Sequence, residues 1–328
     1  MYSIGLDIAK SSIAVHIPKN NLDLEIENNT QALKALFSKL KKLYKKEFDK
    51  LVWVFESTGS YSSLIYRFCA QKGIRVFMPN PKQARGFAKA IAQRNKSDKI
   101  DARVLAHSIV IAKETEIKVP HIDALVEAFK EMIGYYRLLI KQESQMKNHK
   151  ESLLAKGNNS TLVKSVDKQM KALKKEQQAL LEKMRDMVRK DNALSQKLDA
   201  IASIPGIGEL TALILLHLFI RYLHANQRQI VSLAGLDPVM RESGSSIRGR
   251  VKISKAGDRI YRGALFMPAM VAVRHNAKLK AYYERLKANG KHTTVAQVAV
   301  MRKLLVLAHS LYKSGEMYRE DVTNKAHI

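Results

Sequence analysis

A single cysteine, Cys69, stands among 328 residues, so the chain can form neither an internal disulfide nor a thiolate metal site. That usage suits a reducing compartment, with Cys69 a small apolar filler on a helix. Long apolar runs are missing as well: the longest, LTALILLHLFI, falls well short of the roughly 18 residues that span a bilayer. The first ten residues, MYSIGLDIAK, carry an acid at position 7 and lack the basic-then-apolar order of a secretory signal. A cytoplasmic protein is expected. Acids are scarce: 30 Asp and Glu against 57 Lys and Arg leave a formal charge of +27. With 46 % apolar residues spread along the chain, this is a folded protein with a basic surface and not a disordered tail.

The excess positive charge sits at both ends. Residues 1–120 hold 21 basic and 11 acidic residues, 121–200 hold 16 and 11, and 201–328 hold 20 and 8. A basic field over two segments suits a polyanion laid across them, and nucleic acid is the expected partner. An anionic membrane would call for a basic amphipathic helix or a lipidation signal, and neither is evident.

Three regions follow from the patterning. In 1–120, YSIGLDI, SIAVHI and LDLEIE read as an antiparallel meander. A leucine-striped helix follows, then the strand KLVWVFE, a helix closed by Gly73 and the strand IRVFMPN, which together describe a mixed α/β sheet. In 121–200 an apolar rhythm of four and three predicts an antiparallel helical hairpin or coiled coil, with Glu143 and Lys150 at two of its positions. Residues 201–328 read as a mainly helical domain.

Two acids end strands: Asp7 in IGLDIAKSS and Glu56 in VWVFESTGS. Asp98 and Asp101, three apart at the start of a helical pattern, share a face. Singly, each has a plain structural use, since Asp7 can sit in a turn and Ser97 or Asp98 can cap a helix. Glu56 has fewer, because an acid closing LVWVF must be solvated, paired or metal-bound. If the two strands are neighbours, four carboxylates converge. Such a group selects Mg²⁺ or Mn²⁺, while Arg94, Lys96 and Arg103 around it can hold phosphates.

The order LDIAKSS, FESTGSY, NKSDKIDA resembles the ribonuclease-H-like, RuvC-type domain of the DEDD transposases of bacterial insertion sequences, relatives of the Piv DNA invertase. The resemblance implies that Asp7, Glu56, Asp98 and Asp101 are the catalytic, metal-binding acids. It implies a DNA transposase or recombinase acting on donor and target DNA in the bacterial cytoplasm, at the nucleoid. It also implies a bridge RNA encoded by the element. Because strand exchange needs several active sites at once, the helical pair is expected to mediate self-association as dimer or tetramer, the alternative being an intramolecular strut that holds the two domains apart. A junction nuclease using water and a non-catalytic nucleic-acid scaffold are the alternatives.

In the last region, SLAGLDPVMRESGSSIRGRVKISKAGD surrounds serines with Arg241, Arg248, Arg250, Lys252 and Lys255. From the residues alone this is a phosphate-contacting loop, with no histidine or lysine base evident from spacing. The resemblance extends to a C-terminal transposase domain and implies that Ser243 is a nucleophile meeting the acids across an assembled complex, with Ser245 and Ser246 as neighbours. IPGIGELTA is similar to the turn of helix-hairpin-helix modules, in which Gly206 and Gly208 would either approach a phosphate or punctuate helices.

Overall fold

The computed structural model describes residues 1–57, 59–91, 97–157, 160–240, 242–243, 247–248 and 251–320. The chain divides into two compact units, 1–123 and 124–328.

The first unit is a five-stranded sheet with helices on both faces. Its elements are β1 (Tyr2–Ile8), β2 (Ser12–Ile17), β3 (Leu22–Glu27), α1 (Thr30–Tyr44), β4 (Leu51–Phe55), α2 (Ser63–Lys72), β5 (Arg75–Phe77), α3 (Pro81–Ala90) and α4 (Asp98–His107). The strand order is β3-β2-β1-β4-β5. β1, β2 and β3 form the antiparallel meander, and β4 and β5 continue the sheet parallel to β1. Both faces of β4 are covered, which is why LVWVF is apolar throughout. Trp53 and Phe55 pack with Leu33, Leu36 and Leu40 of α1 and with Phe68 of α2. Val52 and Val54 pack with Ala84 of α3 and Leu105 of α4. Gly73, at φ 65°, closes α2, and Cys69 is buried within that helix. The apolar run IRVFMPN yields only the three-residue β5, because Asn80 caps α3 and Pro81 starts it.

The second unit begins with α5 (Ala124–Ala155) and α6 (Ser160–Arg189), followed by α7 (Asn192–Ala202), α8 (Glu209–Arg221) and α9 (Gln227–Leu233). Four two-residue strands come next, β6 (Pro238–Val239), β7 (Glu242–Ser243), β8 (Ile247–Arg248) and β9 (Lys252–Ile253). The unit ends with α10 (Arg259–Ala264), α11 (Phe266–His275), α12 (Ala277–Ala288) and α13 (Thr293–Ser314). α5 and α6 form a hairpin. Glu143 accepts from Gln177 at 2.8 Å and Lys150 donates to Asp167 at 2.7 Å, pairings that run antiparallel. The two polar residues that interrupt the apolar rhythm of α5 therefore each find a polar partner on α6. The rhythm of α6 does not continue unbroken to Ile201, because the Asp191 carboxylate accepts from Ala193 and Leu194 N–H and starts α7.

Phe129 and Ile133 of α5 and Met184 and Val188 of α6 join the same core as α8 and α13. The hairpin base thus belongs to one body with the C-terminal helices. Among the described residues α13 is the one helix long and apolar enough to cross a membrane. Here Val300, Leu304, Leu305 and Ala308 are fully buried in that core.

Candidate active site

Side chains alternate along β1. Ile4, Leu6 and Ile8 face α1 and α2, which leaves Ser3, Gly5 and Asp7 for the opposite face, where α4 lies. Nothing separates the two backbones at Gly5. A Cβ there would stand 1.9 Å from the Ala102 carbonyl oxygen and 2.4 Å from the Ala106 nitrogen. Ala102 and Ala106 are fully buried, and Ser3 Oγ donates to the Ala106 carbonyl at 2.8 Å. Ser3 against Ala106, then Gly5 against Ala102, runs α4 antiparallel to β1. The next step along this face sets Asp7 beneath the first turn of α4.

That turn carries Asp98 and Asp101. Ser97 is the N-cap, its Oγ accepting from Ile100 N–H at 3.3 Å, so capping falls to the serine and the helix dipole favours both acids. On the other side, the parallel register pairs Leu6 with Phe55. Glu56 therefore follows Val52 and Val54 on the α3–α4 face, beside Asp7. Three elements bring four acids to one end of the sheet.

Electrostatics report the convergence. The Asp7 carboxyl is pushed up to about 6, first by burial, then by Asp101, Asp98 and Glu56, against a hydrogen bond from Ile8 N–H. Glu56 is also raised, mainly by burial, with Arg85 of α3 opposing and Asp101 adding. Among the described residues no ion pair engages any of the four. A cluster of carboxylate oxygens with surplus negative charge fits a hard divalent cation. The fit is one of donor type and charge. Among the described residues no group of three His, Cys, Asp or Glu side chains is already arranged to hold a metal ion.

Arg103, expected to hold phosphate, is bound to Asp23 of β3. Its Nε donates at 3.2 Å and its Nη2 closes a second bond. His16 Nδ1 reaches the same carboxylate at 2.7 Å, and these donors, Arg103 foremost, hold Asp23 down at about 2. The network ties α4 to β2 and β3 and so fixes where Asp98 and Asp101 stand. Sequence reading missed this network, Arg85 and the part played by Gly5. For Gly5 a signal existed, since a glycine inside a strand marks close approach by another backbone.

In the second unit Ser243 ends β7, whose backbone pairs with β8 as Glu242 with Arg248 and Ser243 with Ile247. β6 and β9 pair outside them, so the two pairings nest, and β6 to β9 together are called the hairpin arm. Lys252 is exposed on β9. Lys255 has a left-handed backbone, φ 53°, and its N–H donates to the Gly235 carbonyl at 3.2 Å. Arg94, Lys96, Arg241, Ser245, Ser246 and Arg250 lie outside the described residues. Gly206, at φ +100°, turns its Cα onto α11, where a Cβ would meet the Ala272 nitrogen at 2.8 Å. Gly208 is the N-cap of α8. Packing and helix punctuation account for both glycines.

Comparison with known proteins gives a consistent picture. Residues 4–159 match a family described as transposase, and residues 198–284 match the transposase IS116/IS110/IS902 family. The chain is 27 % identical over 327 residues to the pilin gene-inverting protein of Moraxella bovis, covering 96 % of this chain and 97 % of that one. The pilin gene-inverting protein of Moraxella lacunata is similar to the same degree. Over 102 residues the chain is 30 % identical to the insertion element IS900 uncharacterized 42 kDa protein of Mycobacterium paratuberculosis, covering 31 % of this chain and 25 % of that protein.

Proposed function

The chain belongs to the IS110/IS116/IS902 family of transposases, and from that premise we propose that it cuts and rejoins DNA strands as the recombinase of an insertion element. The observation that carries the chemistry is the gathering of Asp7, Glu56, Asp98 and Asp101 at one end of the sheet, set by the β1–β4 register and the close approach of α4 to β1, with the raised proton affinity of Asp7 in keeping with it. The first unit, with its sheet order and helix-covered faces, is read as an RNase H-like, RuvC-type domain. Asp7, Glu56, Asp98 and Asp101 would hold Mg²⁺ or Mn²⁺. When bound, such an ion supplies polarisation of the scissile phosphate and stabilisation of the leaving oxygen.

Ser243 supplies the nucleophile in this reading. Its Oγ forms a bond to phosphorus as the bond from phosphorus to one deoxyribose oxygen breaks; the serine proton passes to water and the leaving oxygen is protonated. Attack by a second strand's hydroxyl on the phosphoserine reverses these changes and releases the enzyme, so the exchange needs no external energy source. Arg248, Lys252 and Lys255 hold backbone phosphates beside it. Gly206 and Gly208 keep the packing roles described above. Sequence readout falls to a bridge RNA, in keeping with a chain rich in phosphate-binding charge. The α5–α6 hairpin acts as a coiled coil joining copies into a dimer or tetramer.

Nicked or junction DNA incubated with Mg²⁺ tests the proposal. The wild-type chain should yield a covalent adduct that mass spectrometry maps to Ser243. Asp7→Asn or Glu56→Gln should lower its yield by roughly 10²–10³-fold, and Ser243→Ala should abolish both adduct and cleavage. Cleavage that survives Ser243→Ala would instead indicate a nuclease using water.

A further inference from the structure

In the second unit α9, α12, α13 and residues 316–319 enclose a cavity of about 810 Å³ that reaches the foot of the hairpin arm at Asp237 and Pro238, a size typical of ligand sites. Five cations line it, Arg228, Lys278, Arg302, Lys303 and Arg319, against two acids, Asp237 and Glu316. Among the described residues no ion pair engages Arg228, Arg302, Lys303 or Arg319. Arg302 Nε is sealed from solvent with no hydrogen-bond partner, a desolvated donor that nothing in the chain compensates. Burial, and then Arg285, hold Lys303 below the ordinary lysine range. Its ammonium lies 3.8 Å from the centre of the Tyr282 ring. Positive charge under such strain calls for an anion.

The remaining wall is apolar, with Leu279, Leu307 and Met317. Tyr318, also in the wall, is fixed at both ends. Asn276 Nδ2 donates to its hydroxyl at 2.8 Å, and its own N–H donates to Ser203 Oγ at 2.8 Å. Arg228, Arg302 and Arg319, which no ion pair engages among the described residues, stand beside an apolar wall and match a nucleobase with its phosphate better than an inorganic anion, which would leave that wall without a partner. We infer that this cavity captures one unstacked nucleotide of a single strand, its phosphate against Arg228 and Arg302 and its base against Leu307 and Tyr318. The inference rests on the reading of this chain as one that acts on nucleic acid, and it adds a site that holds a strand without cutting it.

The test uses the full chain in EDTA with short single-stranded DNA and RNA oligonucleotides, each carrying one 2-aminopurine, and with unlabelled duplex DNA. Arg302→Gln should weaken single-strand binding about tenfold and reduce the slope of log K against log salt by about one. Ser310→Trp puts a ring into the cavity and leaves every cation in place. It should remove the 2-aminopurine signal and weaken single-strand binding while duplex binding stays unchanged. Should Ser310→Trp lower the melting temperature, Ser314→Trp on the exposed rim replaces it. The strand, DNA or RNA, that loses more identifies the occupant. Single-strand binding unaffected by both tryptophans overturns the inference, since the cations would then be a surface patch, and so does binding unaffected by Arg302→Gln. Asp7→Asn should retain this binding while losing cleavage, which separates failure here from failure of the active-site reading.

Discussion

At Asp7 a half-buried carboxylate faces three others, and in the proposed metal site a proton and a cation would compete for it. Without a cation the folded chain keeps this proton up to about pH 6, whereas the unfolded chain releases it near the ordinary aspartate value of about 3.9. Between those values the folded state binds more protons, so stability falls as pH rises across the window and stays at its lower level above it. Melting curves in EDTA from about pH 4 to pH 7 should show this decline, and Asp7→Asn should flatten it. Cleavage at low Mg²⁺ should rise through about pH 6, with a midpoint that moves to lower pH as Mg²⁺ increases. A midpoint indifferent to Mg²⁺ would mean that Asp7 is not a ligand.

Between elements, the site depends on how closely α4 can lie on β1, and Gly5 sets that distance. Gly5→Ala drives a methyl group to within 1.9 Å of the Ala102 carbonyl oxygen, so α4 must lift. Overpacking of this kind costs about 1–3 kcal/mol, and cleavage should fall well beyond that loss of stability because Asp98 and Asp101 leave Asp7. Parallel melting and cleavage assays check the two effects separately. Much of this was legible in the sequence: β-branched runs gave β1 and β4, and strand-terminal acids marked Asp7 and Glu56. The three-residue spacing marked Asp98 and Asp101. What was not legible depends on contacts far apart in the chain. No local pattern pairs Arg103 with Asp23, or brings Arg85 toward Glu56. The strands β6 to β9 are two residues each, too short for alternation to appear. The apolar run in α8 gave no sign that α13, of more mixed composition, would share its core.

Across the whole molecule, positive charge is concentrated at the two ends of the chain, and both units contain frames built from close backbone contact. The foot of the hairpin arm shows how economical such a frame is. Ser254 N–H donates to the Asp237 carbonyl at 2.8 Å and Asp258 N–H to that of Leu233 at 2.9 Å. A Cβ on Gly257 would stand 2.0 Å from the Leu233 carbonyl oxygen. These contacts close the helical body below the arm, and Val239 already faces Lys252 as an antiparallel pair. Such a pair can be joined by a two-residue Asn-Gly turn. Replacing 240–251 with that dipeptide should leave the melting temperature within a few degrees of wild type, while the covalent adduct disappears and nucleic-acid binding weakens by the share that Arg248 contributes. The arm is then a detachable module, and arms of other lengths or specificities could be transplanted onto the same footing.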